Sequence, residues 1–83
     1  MYIVYALYNK EADKTYIGQT KNLEERLKLH QEKTFKSSFT ARYKGAWVLI
    51  YTEQVEDRAK ALRREKQLKS YQGRNFLKGH IPL

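Results

Sequence analysis

The chain has no cysteine among its 83 residues and a single proline, Pro82. Without disulfides or thiolate zinc ligands, a domain of this size must be stabilised by packing alone. The absence of cysteine also fits a reducing compartment, so we expect a cytoplasmic protein. Glycine occurs only four times, and no glycine-rich or proline-rich stretch divides the chain. We therefore expect one domain over residues 1–83, with a core at 1–69 and a basic C-terminal tail at 70–83.

Long apolar runs are missing as well. No stretch approaches the roughly 18 residues that a membrane-spanning helix requires. The N-terminus also lacks the basic, apolar and small-residue succession that is typical of a secretory signal. We expect no membrane partner.

Acidic residues are few compared with basic ones. Nine Asp and Glu stand against 17 Lys and Arg, for a net charge of +8 and a pI near 9.8. The basic residues are spread along the chain among seven tyrosines, three phenylalanines and one tryptophan. Solubility alone is one explanation of such a surface, but spread cations with aromatic side chains favour a nucleic-acid partner.

Three segments are typical of β-strands. Residues 2–8 are aromatic and β-branched, and both faces are apolar, which predicts a central strand that is covered on both sides. A polar loop leads to residues 15–20, which we expect to return antiparallel to the first strand. Residues 46–52 are a continuous apolar run, so we expect a third, buried strand.

The segment after the second strand predicts a helix with two functional candidates. Asn22 followed by Glu25 is a capping signature, with Glu25 expected to reach back to the cap. Arg26 and His30 are i, i+4 neighbours beside the apolar stripe that faces the sheet. In one interpretation the aliphatic stem of Arg26 covers apolar surface and His30 is packed in the core. In the other, both residues belong to a functional site beside Tyr16. Gly18 leaves room next to Tyr16 for a backbone or a ligand.

A second helix is predicted over residues 56–69, and it places Glu65 within its apolar stripe. A buried carboxylate is costly unless a cation meets it. Lysines and arginines at the flanks of the helix provide one explanation. A divalent cation is the other, since Mg²⁺ prefers carboxylate oxygen, phosphate and water.

These residues together resemble the GIY-YIG nuclease superfamily. Its two signature tripeptides are matched by residues 3–5 (Ile-Val-Tyr, with Ile3 where the family has glycine) and 16–18 (Tyr-Ile-Gly). Residues 19–27 match the helix that follows, and residues 61–69 match the segment with the metal-binding glutamate. Among the members, the chain is similar to small stand-alone proteins related to the N-terminal endonuclease domain of the UvrC repair subunit, which implies a role in DNA repair.

The resemblance implies an α+β fold, a three-stranded antiparallel sheet flanked by helices, and cleavage of a DNA phosphodiester with one Mg²⁺ or Mn²⁺. A tyrosine would take the proton of the attacking water or orient it, which requires a pKa below the usual value near 10. An arginine would hold the phosphate, a glutamate the metal, and a histidine a proton or a phosphate oxygen. The implied catalytic residues are Tyr5, Tyr16, Arg26, His30 and Glu65, of which Glu65 is the metal ligand.

Nucleic-acid contacts are predicted at the exit of the second strand, in the basic segment 31–44 and beside Glu65. These residues are Thr20, Lys21, Lys33, Lys36, Arg42, Lys66 and Lys69. Asn75 is a candidate for the C-terminal asparagine of some family members. Two alternatives stay open: a binding module of the same fold whose cleavage is weak or needs a partner protein that supplies specificity, and a non-enzymatic interaction domain.

Overall fold

The computed structural model describes residues 1–31 and 45–82, except for the side chains of His30 and Gln31. These residues form three strands and three helices, as the α+β prediction requires. In chain order they are β1 (Tyr2–Asn9), β2 (Lys14–Thr20), α1 (Leu23–Gln31), β3 (Val48–Val55), α2 (Arg58–Lys69) and α3 (Tyr71–Lys78). None of the helices in this part of the chain is long and apolar enough to cross a bilayer.

The strands form one antiparallel sheet in the order β2-β1-β3, so the prediction that β1 is central is confirmed. The pairing of β1 with β3 shifts register between Ala6 and Leu7. In the pairing of β1 with β2, Tyr5 lies opposite Gly18 and Leu7 lies opposite Tyr16. Tyr5 and Tyr16 are therefore diagonal neighbours on one face of the sheet.

Both faces of β1 are covered, because its side chains alternate between two cores. On one face, α2 and α3 pack on the small and branched residues of the sheet. That core contains Val4, Ala6, Ile17, Ala61, Leu68 and Leu77. On the other face Tyr5, Leu7 and Trp47 are buried, and Tyr16, Leu23 and Leu27 pack against them.

The prediction that the third strand is buried is wrong. The strand begins at Val48 and continues to Val55, later than expected, and it is the outer strand beside β1. Val48 is 49% exposed and Leu49 is 38% exposed. An apolar run indicates a strand, but it does not distinguish a central strand from an outer one.

The predicted second helix is present as α2, which starts just after its cap. The Asp57 carboxylate accepts a hydrogen bond from the Lys60 backbone N–H at 2.9 Å. An N-terminal cap of this kind satisfies one of the helix's orphan donors. The described residues thus place Glu65 on α2 as the periodicity predicts, one turn after the buried Ala61.

The segment expected to be a basic tail forms a third helix, α3. Ser70 ends α2 and caps α3, since its hydroxyl accepts a hydrogen bond from the Gly73 N–H at 3.2 Å. A Cβ on Gly73 would overlap the Gln67 carbonyl and the Leu68 backbone, so glycine allows α3 to fold back closely on α2. Leu77, which is 2% exposed, then enters the core.

Candidate active site

Tyr5 is the centre of the candidate site. Its side chain is 1% exposed, and its ring lies 6.1 Å from the Tyr16 ring, centroid to centroid, at an interplanar angle of 45°. A Cβ on Gly18 would stand 2.9 Å from the Tyr5 hydroxyl oxygen and 3.0 Å from Tyr16 Cε2. The space above Gly18, which we expected a backbone or a ligand to use, is therefore filled by the Tyr5 phenol.

Several charged and polar groups act on that phenol. Burial, more than any other cause, raises the pKa of Tyr5 far above its ordinary value, and Tyr16 raises it further both as a charge and through a side-chain hydrogen bond. The Arg26 guanidinium lowers the pKa of Tyr5, and the Glu65 carboxylate raises it slightly. Tyr16, Arg26 and Glu65, which come from β2, α1 and α2, thus all affect the pKa of Tyr5 on β1.

The turn between β2 and α1 sets the direction of the helix that carries Arg26. Asn22 caps α1, because its side-chain oxygen accepts a hydrogen bond from the Glu25 N–H at 3.1 Å. The Asn22 N–H donates to the Thr20 hydroxyl at 3.1 Å, and that hydroxyl donates to the Asn22 carbonyl at 3.3 Å. Asn22 caps the helix as predicted. Its own backbone N–H, which we expected to bond to the Glu25 side chain, bonds to the Thr20 hydroxyl instead.

Thr20 therefore has a structural task. It is 7% exposed, and both of its hydrogen bonds hold the turn. A hydroxyl that is buried and used locally offers little to a phosphate group. Thr20 as a nucleic-acid contact stays a prediction, in which a phosphate would compete with both hydrogen bonds of the turn.

Glu65 lies at the edge of the α2 core and meets a cation. Its side chain is 22% exposed, and Oε2 accepts a hydrogen bond from Lys69 Nζ at 3.2 Å. Among the described residues no cluster of three His, Cys, Asp or Glu side chains gathers around it. A single carboxylate fits Mg²⁺ or Mn²⁺ only if substrate phosphate and water supply the other ligands, which is the shell that Mg²⁺ commonly adopts.

The remaining predicted residues fall into two groups. Lys21, Lys66 and Asn75 are exposed, and Lys21 Nζ lies 5.4 Å from the centroid of the Tyr2 ring. His30 belongs to α1, but its side chain is outside the described residues. The segment that holds Lys33, Lys36 and Arg42 is outside them too.

Two clefts border the site. The first, here the α1 cleft, has a volume of about 420 Å³ and lies between β2, α1 and the start of α2; Lys21, Arg26 and Arg58 line it. The second, here the α3 cleft, has a volume of about 580 Å³ and lies between β2, the end of α2 and α3. Tyr16 lines the α3 cleft and Arg26 lines the α1 cleft, so each cleft includes a residue that affects the pKa of Tyr5.

The α3 cleft contains cations that the sequence analysis did not assign to the site. Lys14, Arg74 and Lys78 line it together with Lys69. Lys14 belongs to the hairpin, and the other two lie in the segment that we expected to be a tail. The i, i+4 spacing of Arg74 and Lys78 was the signal that could have placed them on one helix face.

The family model described as the GIY-YIG catalytic domain matches residues 1–78. A similar solved structure is the solution NMR structure of a UPF0213 protein from Bacillus halodurans, which is 27% identical to this chain. The likeness covers 95% of this chain and 84% of that one, with a TM-score of 0.54. No curated protein matches the sequence significantly.

Proposed function

Since the chain belongs to the GIY-YIG family, whose domain implies a nuclease-type function, we propose that it is a metal-dependent endonuclease that hydrolyses a DNA phosphodiester bond. The observation that supports this most is the set of groups around Tyr5. A second phenol, a guanidinium and a carboxylate from three different elements all act on its hydroxyl. Phosphodiester hydrolysis needs this combination of a proton acceptor, a cation for the phosphate and a metal ligand.

The two tyrosines have different tasks in this proposal. Tyr16, which is half-buried and lines the α3 cleft, accepts the proton of the attacking water. Tyr5 is buried and its raised pKa keeps it protonated, which makes it a poor base. Tyr5 therefore orients Tyr16 through the hydrogen bond between the phenols and does not itself take the proton.

Arg26 and Glu65 act on the phosphate. Arg26 is half-buried in the wall of the α1 cleft, and its planar guanidinium donates two parallel hydrogen bonds to phosphate oxygens as charge develops on them. Glu65 would hold the metal ion, Mg²⁺ or Mn²⁺, and that ion would withdraw charge from the phosphate and stabilise the leaving oxygen. Lys69 Nζ donates to the Glu65 carboxylate and helps to hold it in position. His30 positions a proton or a phosphate oxygen.

A test of this function compares Arg26→Lys with Arg63→Lys on supercoiled, branched and single-stranded DNA, with Mg²⁺ and with EDTA. Both changes preserve charge, and Arg63 is an exposed residue of α2 that lines neither cleft. We expect the wild-type protein to cut at least one DNA with Mg²⁺ and none with EDTA. Arg26→Lys should lower the cleavage rate by about 100-fold, because lysine lacks the fork geometry. Equal rates for the two variants would remove Arg26 from the mechanism.

A second candidate is a binding module that cuts weakly or only with a partner protein that supplies specificity. One observation favours it: Lys69 pairs with the Glu65 carboxylate, so a metal ion would have to compete with this lysine. In that case DNA binding persists and falls steeply with salt, while cleavage by the isolated protein is absent. A role in DNA repair, like that of UvrC, and a cytoplasmic location are further parts of the proposal.

A further inference from the structure

The rim of the α3 cleft is strongly cationic. Lys14 stands at the start of β2, Lys69 ends α2, and Arg74 and Lys78 lie one turn apart on α3. One acid, Asp13, also lines the cleft, and its carboxylate accepts a hydrogen bond from the Tyr8 hydroxyl at 2.8 Å. Cations from three elements around one opening favour an anionic ligand.

The floor of the same cleft is apolar. Ile17 and Leu77 are buried beneath it, Ile81 is half-buried at its end, and Tyr16 of β2 also lines it. A volume of about 580 Å³ lies within the range of sites that hold small organic ligands, roughly 300–1,000 Å³. Phosphate alone would leave this floor without a partner, so the ligand should have a flat, weakly polar part as well as negative charge.

We propose that the α3 cleft binds an unpaired nucleotide, with its base on the apolar floor and its phosphates on the rim cations. The inference rests on the proposed nuclease function and names its substrate class: DNA with an unpaired segment next to the scissile phosphate. Tyr16 belongs both to the cleft and to the catalytic group, so a strand held in the cleft passes directly to the reacting residues.

A perfect duplex suits this cleft poorly. Its bases are stacked inside, so it would offer only phosphates to the rim, and the floor would gain no contact. An unpaired base is available without the cost of unstacking and unpairing. Every base has an apolar face that can lie on this floor, so the preference should follow DNA structure and not base sequence.

Fluorescence anisotropy with the wild-type protein in EDTA tests the inference without cleavage. The probes are a single-stranded oligonucleotide, the same strand in a blunt duplex, and a strand of equal length whose bases are replaced by abasic units. We expect the single strand to bind most tightly and the abasic strand about tenfold more weakly, because it keeps the phosphates and loses the bases. Equal affinity for the normal and the abasic strand would overturn the proposal.

Two matched pairs of variants locate the binding site. Arg74→Gln with Lys78→Gln is compared with Lys28→Gln and Arg63→Gln, which remove the same charge from exposed positions outside both clefts. The cleft pair should reduce the slope of log affinity against log salt by about 1.4 for the single strand, and the control pair should leave it unchanged. Equal slopes for the two double variants would also overturn the proposal.

The second pair tests the apolar floor. Ile81→Ser should lower affinity for the single strand by about three- to tenfold and leave the abasic strand unaffected, since only the base contact is lost. Val48→Ser, on the exposed face of β3, should change neither affinity. An Ile81→Ser protein that keeps the wild-type preference would count against the base site.

Cleavage is measured separately with Mg²⁺, so the two proposals fail independently. Specific binding of the unpaired strand without cleavage would support nucleotide binding in the α3 cleft and contradict the proposed nuclease activity. Cleavage with no preference for unpaired DNA, and no effect of the cleft variants on binding, would support the nuclease activity and contradict nucleotide binding in the α3 cleft. Circular dichroism and thermal melting of each variant confirm that the fold is retained.

Discussion

The Tyr5 hydroxyl occupies the place where a side chain on Gly18 would have to go, 2.9 Å from an ideal Cβ. The two residues are partners across β1 and β2, so neither can move away along the sheet. The glycine is thus required by the buried phenol of the candidate site.

Gly18→Ala should therefore displace Tyr5 and disturb its hydrogen bond with Tyr16. We expect a loss of stability of about 1–3 kcal/mol, because the methyl group overpacks a closed space, together with a reduced cleavage rate. Gly79→Ala is the matched control, since its Cβ would meet only the Phe76 carbonyl oxygen at 3.5 Å. Urea unfolding of both variants measures the difference, and equal stabilities would show that the Tyr5 ring adjusts without cost.

Removal of the two phenol hydroxyls should have unequal effects on catalysis. Tyr16→Phe takes away the proposed proton acceptor, and we expect the cleavage rate to fall by about 10²- to 10⁴-fold. Tyr5→Phe leaves that acceptor in place and loses one orienting hydrogen bond, so its effect should be much smaller. Single-turnover cleavage measures both rates. If Tyr5→Phe proved the more damaging change, the assignment of the two roles would be reversed.

The raised pKa of Tyr5 also predicts how stability depends on pH. In the unfolded chain a tyrosine loses its proton near pH 10, whereas folded Tyr5 keeps its proton to higher pH. Above about pH 10 the folded state therefore binds more protons, and stability falls as pH rises, by about 1.4 kcal/mol per pH unit for this group. Tyr5→Phe should make the decline shallower by that amount in denaturant titrations at alkaline pH. An unchanged slope would mean that Tyr5 ionises as freely as in the unfolded chain.

Tyr51, Glu53 and Arg64 form a polar cluster that supports the fold away from the candidate site. Arg64 Nε donates to Glu53 Oε1 at 3.0 Å, and the Tyr51 hydroxyl donates to the same oxygen at 2.5 Å. The Arg64 guanidinium carbon also lies 5.9 Å from the centroid of the Phe76 ring, which joins β3, α2 and α3.

Arg64→Ala should lower stability by about 1–2 kcal/mol, because it breaks a half-buried ion pair and leaves Glu53 with one partner fewer. Arg63→Ala, its exposed neighbour on α2, should change stability by less than about 0.5 kcal/mol. Thermal unfolding distinguishes the two. Cleavage by folded Arg64→Ala should remain near the wild-type rate, and a large loss of activity would place Arg64 in the catalytic group.

Much of the fold follows from local patterns in the sequence. Apolar residues on both faces of residues 2–8 predicted the central strand, and Asn22 with Glu25 predicted the start of the first helix. The position of β3 at the margin could not be predicted, because strand order depends on contacts distant in sequence. The third helix was missed because Gly73 lowers helix propensity, and its packing role is visible only in the fold.

The candidate site was predicted as a set of residue types and not as an arrangement. The resemblance to a nuclease family singled out Tyr5, Tyr16, Arg26 and Glu65, and in the structure the last three all affect the pKa of Tyr5. The family resemblance alone does not distinguish a buried phenol from an accessible one, because burial depends on how the core packs around Tyr5. Lys14 and Lys78 in the α3 cleft were missed for a related reason, since they join Lys69 around one cleft only once α3 folds back.

The most direct test of the central claim compares two glutamates that each pair with a lysine four residues later. Glu65 meets Lys69 at 3.2 Å beside the candidate site, and Glu56 meets Lys60 at 2.8 Å on the opposite end of the α2 region. The measurement is the Mg²⁺-dependent cleavage rate of Glu65→Gln and Glu56→Gln on the DNA that the wild-type protein cuts best. We predict a loss of at least about 100-fold for Glu65→Gln and a near wild-type rate for Glu56→Gln, because only the first removes the metal ligand. Cleavage by Glu65→Gln at the wild-type rate would contradict the account.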